Sequence, residues 1–264
     1  MTDTRAGALL PRISAVAYGG FAYLAFLASN TYLIGFLAGV GVPKGIDDGD
    51  TGSTAVAVVV DVLLLTVFAL QHSVMARPGF KRVWTRVVPA SVERSTYVLV
   101  ASAILALQMW LWRPLDGVVW SAGPDWARAA LWAGFGLGWT ICLVSTFQIG
   151  HYDLFGITQV LARWRRRAYA SPSFKVPGLY KLVRHPLYLG FIVAFWSAPD
   201  MSAGLLLFAA VNTGYILVAV RFEERDLKVD LGAPYERYAE EVPRLLPGAR
   251  PSGVRDRALG TLAP

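Results

Sequence analysis

Apolar residues in this chain run in long uninterrupted stretches, not with the alternation of a half-buried strand or the narrow stripe of a surface helix. A bilayer core of about 30 Å takes roughly 20 residues of helix. Runs of that kind predict spans at Ile13 to Val40, Ala55 to Leu70, Ser95 to Trp112 and Ala127 to Phe147. The first is too long for the core of a cleaved signal and reads as a retained anchor. A further stretch, Leu187 to Val220, is interrupted at Ser197-Ala198-Pro199-Asp200, where the Pro-Asp pair is turn chemistry, so it predicts a helical hairpin. Its first arm, Pro186 to Ser197, starts on a proline suited to a helix N-terminus and reaches only about 20 Å, short for a full crossing. The pattern therefore predicts an all-α integral membrane protein of about five to six transmembrane helical segments, the last two a hairpin.

Composition agrees. The 264 residues are 55% hydrophobic and 16% charged, with mean hydropathy +0.46, which leaves too few polar side chains to cover a soluble surface. The formal charge of +7 then bears on orientation and acidic lipid, not on nucleic acid. Arg77, Lys81, Arg82, Arg86 and Arg94 crowd one loop. Arg163, Arg165, Arg166, Arg167, Lys175, Lys181 and Arg184 crowd another, and both are expected in the cytoplasm. The loops between are acidic or bare, with Asp47, Asp48 and Asp50 in one and Asp116 and Asp125 in the other. Both termini are then expected in the cytoplasm of a bacterial inner membrane. After Arg221, Gly232-Ala233-Pro234 should stop one element and start a short amphipathic helix, Tyr235 to Val242, ended by Pro243. Residues 1–247 are read as one membrane-embedded domain and 248–264 as a disordered tail. A single cysteine, Cys142, excludes a disulfide framework and is read as packing.

Once the spans are drawn, titratable residues distant in sequence fall at one depth. His72, His151 and His185 lie at cytoplasmic span ends, with Glu93, Asp153, Glu223 and Glu224 at the same level. A cleft there could hold a charged soluble cofactor beside an apolar substrate. Polar residues gather at helix ends in any membrane protein, so depth alone does not make a site. A metal site is not expected, because neither His-x-x-x-His nor Glu-x-x-His spacing occurs. Asp61 lies about 16 Å along its helix from His72 and is placed outside the site. The run from Arg163 to Arg167 reads as a lipid-headgroup patch or a stop-transfer signal.

Three strings in the C-terminal third narrow the reading: Arg184-His185-Pro186-x-Tyr188-x-Gly190, Glu223-Glu224-x-x-Leu227, and Tyr235-x-x-Tyr238-x-x-x-Val242-Pro243. In this order over about seventy residues they resemble the isoprenylcysteine carboxyl methyltransferase superfamily of membrane enzymes. Gln71-His72-Ser73, Glu93-Arg94-Ser95-Thr96-Tyr97 and His151-Tyr152-Asp153-Leu154-Phe155-Gly156 resemble, within it, the bacterial methanethiol S-methyltransferases. The resemblance implies S-adenosyl-L-methionine as cofactor, held by residues 178–247, and a small thiol as substrate.

It also distributes roles. Arg184 and Arg244 would pair with the methionine carboxylate, while Glu223 and Glu224 would accept from ribose hydroxyls or hold the sulfonium. His185, Tyr188, Gly190, Tyr235 and Tyr238 would complete the cofactor site. The thiol needs a base, for which His151 oriented by Asp153 is preferred, with His72 and Glu93 as alternatives. That pairing requires the helix to end at His151, because side chains two apart on a helix diverge. Tyr97, Phe155 and Trp196 would line a tight apolar pocket. Methylation of a lipid-borne carboxyl or phospholipid amine, a sterol reductase, and a non-catalytic membrane accessory or small transporter are the rival readings; oligomeric state is left open.

Overall fold

The computed structural model describes residues 3–248, so all of the expected tail except Gly248 lies outside the described residues. In chain order the helices are α1 (Asp3–Ala38), α2 (Thr54–Ala76), α3 (Pro78–Trp84), α4 (Ala90–Leu111), α5 (Asp125–Ile149), the single turn α6 (His151–Leu154), α7 (Ile157–Trp164), α8 (Pro186–Trp196), α9 (Ala203–Leu231) and α10 (Ala233–Glu241). Arg12–Ala38 of α1, together with α2, α4, α5 and α9, are long and apolar enough to cross a membrane. They carry exposed Phe21, Leu24, Val59, Leu63 and Leu143, a surface that lipid tolerates and water does not. The protein is a multi-pass, all-α membrane protein.

Helix ends are set by prolines rather than by the first polar residues. α2 continues past Leu70 through Gln71 and His72 and stops before Pro78, while α4 starts at Ala90 directly after Pro89. Glu93 thus sits in the first turn of α4, where the helix dipole favours a carboxylate. α9 likewise runs unbroken past Arg221 to Leu231, which puts Glu223 and Glu224 inside a helix. Gly232, at φ 60°, ends it, and Pro234 opens α10. The hairpin turn is more ordered than expected: strand β2 (Asp200–Ser202) pairs with β1 (Val118–Ser121), whose Val-Val-Trp run suits extended backbone.

The chain divides into two compact units: Met1–Trp120 with Gly150–Pro172 and Asp200–Val211, and Ser121–Ile149 with Ser173–Pro199 and Asn212–Pro264. In the first, α1 packs on α4 and α7, and α2 on α4. Gly156 has φ +85°, and a Cβ there would lie 2.5 Å from Ser95 Oγ, so glycine alone lets the α6–α7 corner sit on α4. Lys44, the one base in an acidic loop, donates to the carbonyls of Trp110 (2.8 Å) and Trp112 (2.7 Å) and so caps α4. Asp61 is fully buried and accepts the Arg113 amide at 3.0 Å, also finishing that helix end.

In the second unit α5 and α8 pack face to face. A Cβ on Gly138 would meet Ala194 N at 2.5 Å and Gly190 O at 2.6 Å; one on Gly190 would meet Gly138 O at 2.7 Å and Cys142 Sγ at 2.8 Å. Two glycines thus let the helix backbones touch, the small-residue packing that membrane helices use where no water is expelled. Gly190→Leu should force α5 and α8 apart at the cost of about 1–3 kcal/mol or more, seen as a lower melting temperature of the solubilised protein. Gly136→Leu, on α5 with nothing within 4 Å of its Cβ position, should melt near wild type; equal melting of the two variants would contradict the packing.

Candidate functional site

In the second unit, Glu224 is the centre of the charged cluster. Its residue is 5% exposed. Oε1 accepts from Arg184 Nε (2.8 Å) and Nη2 (2.7 Å), and Oε2 accepts from Arg244 Nε (3.0 Å) and Nη2 (2.7 Å). His185 Nε2 lies 3.2 Å from Oε1. Each guanidinium grips one carboxylate oxygen through two nitrogens, geometry that lysine could not supply.

Backbone pairing fixes the arrangement. The amides of Arg184 and His185 donate to the carbonyls of Pro243 (2.9 Å) and Arg244 (3.2 Å), clamping the start of α8 against the segment after α10. Arg184 Nη1 donates to the carbonyls of Ala239 (2.6 Å) and Val242 (2.7 Å), which are left open where α10 ends. Arg184 is therefore committed within the protein, with its side chain 1% exposed. It has little left with which to bind a ligand carboxylate, the task the sequence assigned it. Arg244, with a side chain 39% exposed, keeps an outward edge.

Glu223, one residue earlier, is 42% exposed, accepts from Tyr188 Oη at 2.9 Å and lies 3.9 Å from His185 Nδ1. Tyr235 and Tyr238 form a small core with Val242, against which Leu227, Leu231 and Val176 pack. Burial pushes both phenols up, Tyr238 to about 12, so both stay protonated donors at neutral pH. Tyr238 donates to the Tyr180 carbonyl at 2.6 Å, whereas the buried Tyr235 hydroxyl has no partner. Gly190 makes the helix contact described above. Trp196 donates its Nε1 to Thr213 Oγ1 at 2.9 Å in this same unit, whereas the other predicted pocket residues, Tyr97 and Phe155, belong to the first unit.

The first unit holds the candidate bases. His151 is buried, with Nε2 2.8 Å from Tyr23 Oη and its ring among Tyr23, Tyr152 and Phe155, at 5.7, 5.4 and 4.8 Å between centroids. Phe155 stacks on Phe26 at 3.8 Å. Burial disfavours the imidazolium and holds His151 below the ordinary histidine value of 6.5, so it is neutral at pH 7. The expected His151–Asp153 pairing gives way to another. α6 is helical at both positions, which sends the side chains apart, and Asp153 Oδ1 accepts from Tyr169 Oη at 2.8 Å. His72 Nε2 meets Tyr97 Oη at 2.9 Å and its ring stacks on Phe68. Glu93 Oε1 is buried without a hydrogen-bond partner. Its carboxylate opposes the downward push on Lys81, whose charge is disfavoured first by burial and then by Arg94.

Tyr23, Phe26 and Phe68 lay outside the sequence reading. The only available signal was an aromatic hydroxyl within an apolar run, which names no partner 128 residues away. Among the described residues, no group of three or more His, Cys, Asp or Glu could hold a metal ion.

Comparison with known proteins gives close relatives. A methanethiol S-methyltransferase of a Pseudomonas species is 50% identical over 236 residues, 89% of this chain and 91% of the relative. One from Mycobacterium tuberculosis is 52% identical over 238 residues, 90% of this chain and 98% of the relative. Danio rerio Nurim is more distant, 31% identical over 64% of each chain. No family model matches the chain, and no solved structure does.

Removing the charge at the centre of the cluster should unfold more than it disables. Glu224→Gln strands two guanidiniums and Arg184→Leu strands a buried carboxylate, each costing about 3–5 kcal/mol. Thermal melts of the solubilised variants should show the loss; wild-type melting of both would contradict the structural role of the pair.

Proposed function

Because the chain belongs to the methanethiol S-methyltransferase family, we propose that it methylates the sulfur of methanethiol to dimethyl sulfide, with S-adenosyl-L-methionine as donor, at the cytoplasmic side of a bacterial inner membrane. The observation that carries the donor assignment is the set of groups the Glu224 cluster leaves available. Glu223 and the outer edge of Arg244 are partly exposed, and the Tyr235 hydroxyl is buried without a partner. A ligand bearing a carboxylate, an ammonium or sulfonium, and hydroxyl oxygens has a match for each. Arg244 takes the carboxylate. Glu223 takes the positive centre or the ribose, and Tyr235 donates to an oxygen. When bound, the cofactor supplies a methyl group already activated on a sulfonium.

The acceptor needs little more than placement and loss of a proton. An alkanethiol has a pKa at or above the ~8.5 of cysteine and is mainly protonated at neutral pH. His151, neutral and set among Tyr23, Tyr152 and Phe155, is the base we assign, with His72 and Glu93 as alternatives. Tyr23, not Asp153, orients it. His151 would take the thiol proton as the methyl group leaves the sulfonium for the thiol sulfur and the donor departs as a neutral thioether, while the aromatic rings around His151 keep water from the nucleophile. The loops rich in Arg and Lys support an orientation with both termini in the cytoplasm, on the side of the soluble donor.

Membranes containing the protein, given methanethiol and donor labelled on its methyl group, should release labelled dimethyl sulfide, measured by headspace gas chromatography. His151→Ala should lower the rate by about 10²–10⁴-fold, the usual contribution of a general base. Because His151 is held below 6.5, it is protonated only at lower pH than a free histidine, so the acid limb of kcat should lie below pH 6.5. Label in a lipid acceptor, with none in the volatile fraction, would overturn the substrate assignment.

A further inference from the structure

The arginine run is unused by the chemistry above, and its local structure is unusual. α7 ends in a Schellman arrangement: Arg167 N donates to Ala162 O at 2.9 Å and Arg166 N to Arg163 O at 3.2 Å. The left-handed position between them, where glycine is favoured, is held by Arg166 at φ 55°. Among the described residues it is the only one other than glycine with positive φ.

That turn shapes a cavity of about 460 Å³, within the 300–1,000 Å³ usual for small-ligand sites. Ile157, Leu161 and Ala162 line it along one face of α7, and Arg165 and Arg167 line it at the helix end. The opposite face is engaged elsewhere: Val160 is buried and lies so close to Gly19 of α1 that a Cβ there would be 2.8 Å away. Arg163 is held by Ser91 Oγ at 3.2 Å. Arg165 and Arg167 are exposed, and neither is paired with a carboxylate among the described residues. The nearby acid on this segment, Asp153, is turned to Tyr169, whose ring lines the cavity.

We propose that this cavity binds one anionic phospholipid, with its phosphate between Arg165 and Arg167 and the start of its acyl chain along Ile157, Leu161 and Ala162. An apolar lane ending in two unpaired guanidiniums matches an amphiphile with an anionic head, and in a membrane protein such amphiphiles are the solvent. The exposed Trp164, beside the cavity on the same helix, is the residue type that settles at headgroup depth. The Arg166 turn lies between these two residues, and both line the same cavity.

The test is native mass spectrometry of the full chain in detergent, titrated with phosphatidylglycerol and, separately, phosphatidylcholine of the same chain length. One phosphatidylglycerol should bind in preference to phosphatidylcholine. Arg165→Gln/Arg167→Gln should weaken it by about tenfold to thirtyfold, as the loss of two surface cations implies. Arg82→Gln/Arg86→Gln, which removes the same charge from another loop, should leave it within about twofold of wild type. Equal weakening by the two double variants, equal binding of phosphatidylcholine, or displacement of the lipid by inorganic phosphate would overturn the proposal.

Discussion

A carboxylate buried at 5% exposure must be matched by cations or it will not ionise there, and Glu224 is matched by two guanidiniums gripping opposite oxygens. Three chain segments owe their positions to that one group: α9, which carries it, the turn into α8, which supplies Arg184 and His185, and the bent segment after α10, which supplies Arg244. Arg184 does double duty, since its other nitrogen holds the carbonyls at the end of α10. Once these contacts are made, the neighbours that are not consumed by them acquire their role. Glu223 stays partly exposed beside the buried Glu224, and Arg244, although it grips Glu224, keeps an exposed outer edge.

The fold is legible in the sequence where the physical signal is local. Long apolar runs marked the spans, Pro186 and the Pro199-Asp200 turn marked the short arm of the hairpin, and Gly232 with Pro234 marked the break before α10. Helices α2 and α4 extend beyond the apolar runs, because polar residues such as Gln71, His72 and Glu93 remain within them. A helix at the membrane surface instead continues until a proline forces the residue before it out of the helical region, as Pro78 does to Arg77, and α4 begins directly after Pro89.

Side-chain partnerships were harder. Arg184, His185, Glu224 and Arg244 were picked out together by their motifs, and they do meet. Their motifs could not say that Glu224 would hold both arginines and so leave Arg184 no ligand to bind. Gly190 stood in the same motif, yet its lack of a side chain serves contact with Gly138. His151 and Asp153 are adjacent enough in sequence to suggest a pair, but two residues apart on a helix they point to nearly opposite faces, and Tyr23 arrives from α1 instead. No periodicity encodes a contact across that distance.

The central claim is that Glu224 builds the cluster while Glu223 is available to the methyl donor. Calorimetric titration of S-adenosyl-L-methionine into the purified protein, beside Glu223→Gln, tests it most directly. The account predicts binding by the wild type and at least about tenfold weaker binding by Glu223→Gln, the scale of one lost charged hydrogen bond. Unchanged affinity in Glu223→Gln, or no binding of the donor by the wild type, would contradict it.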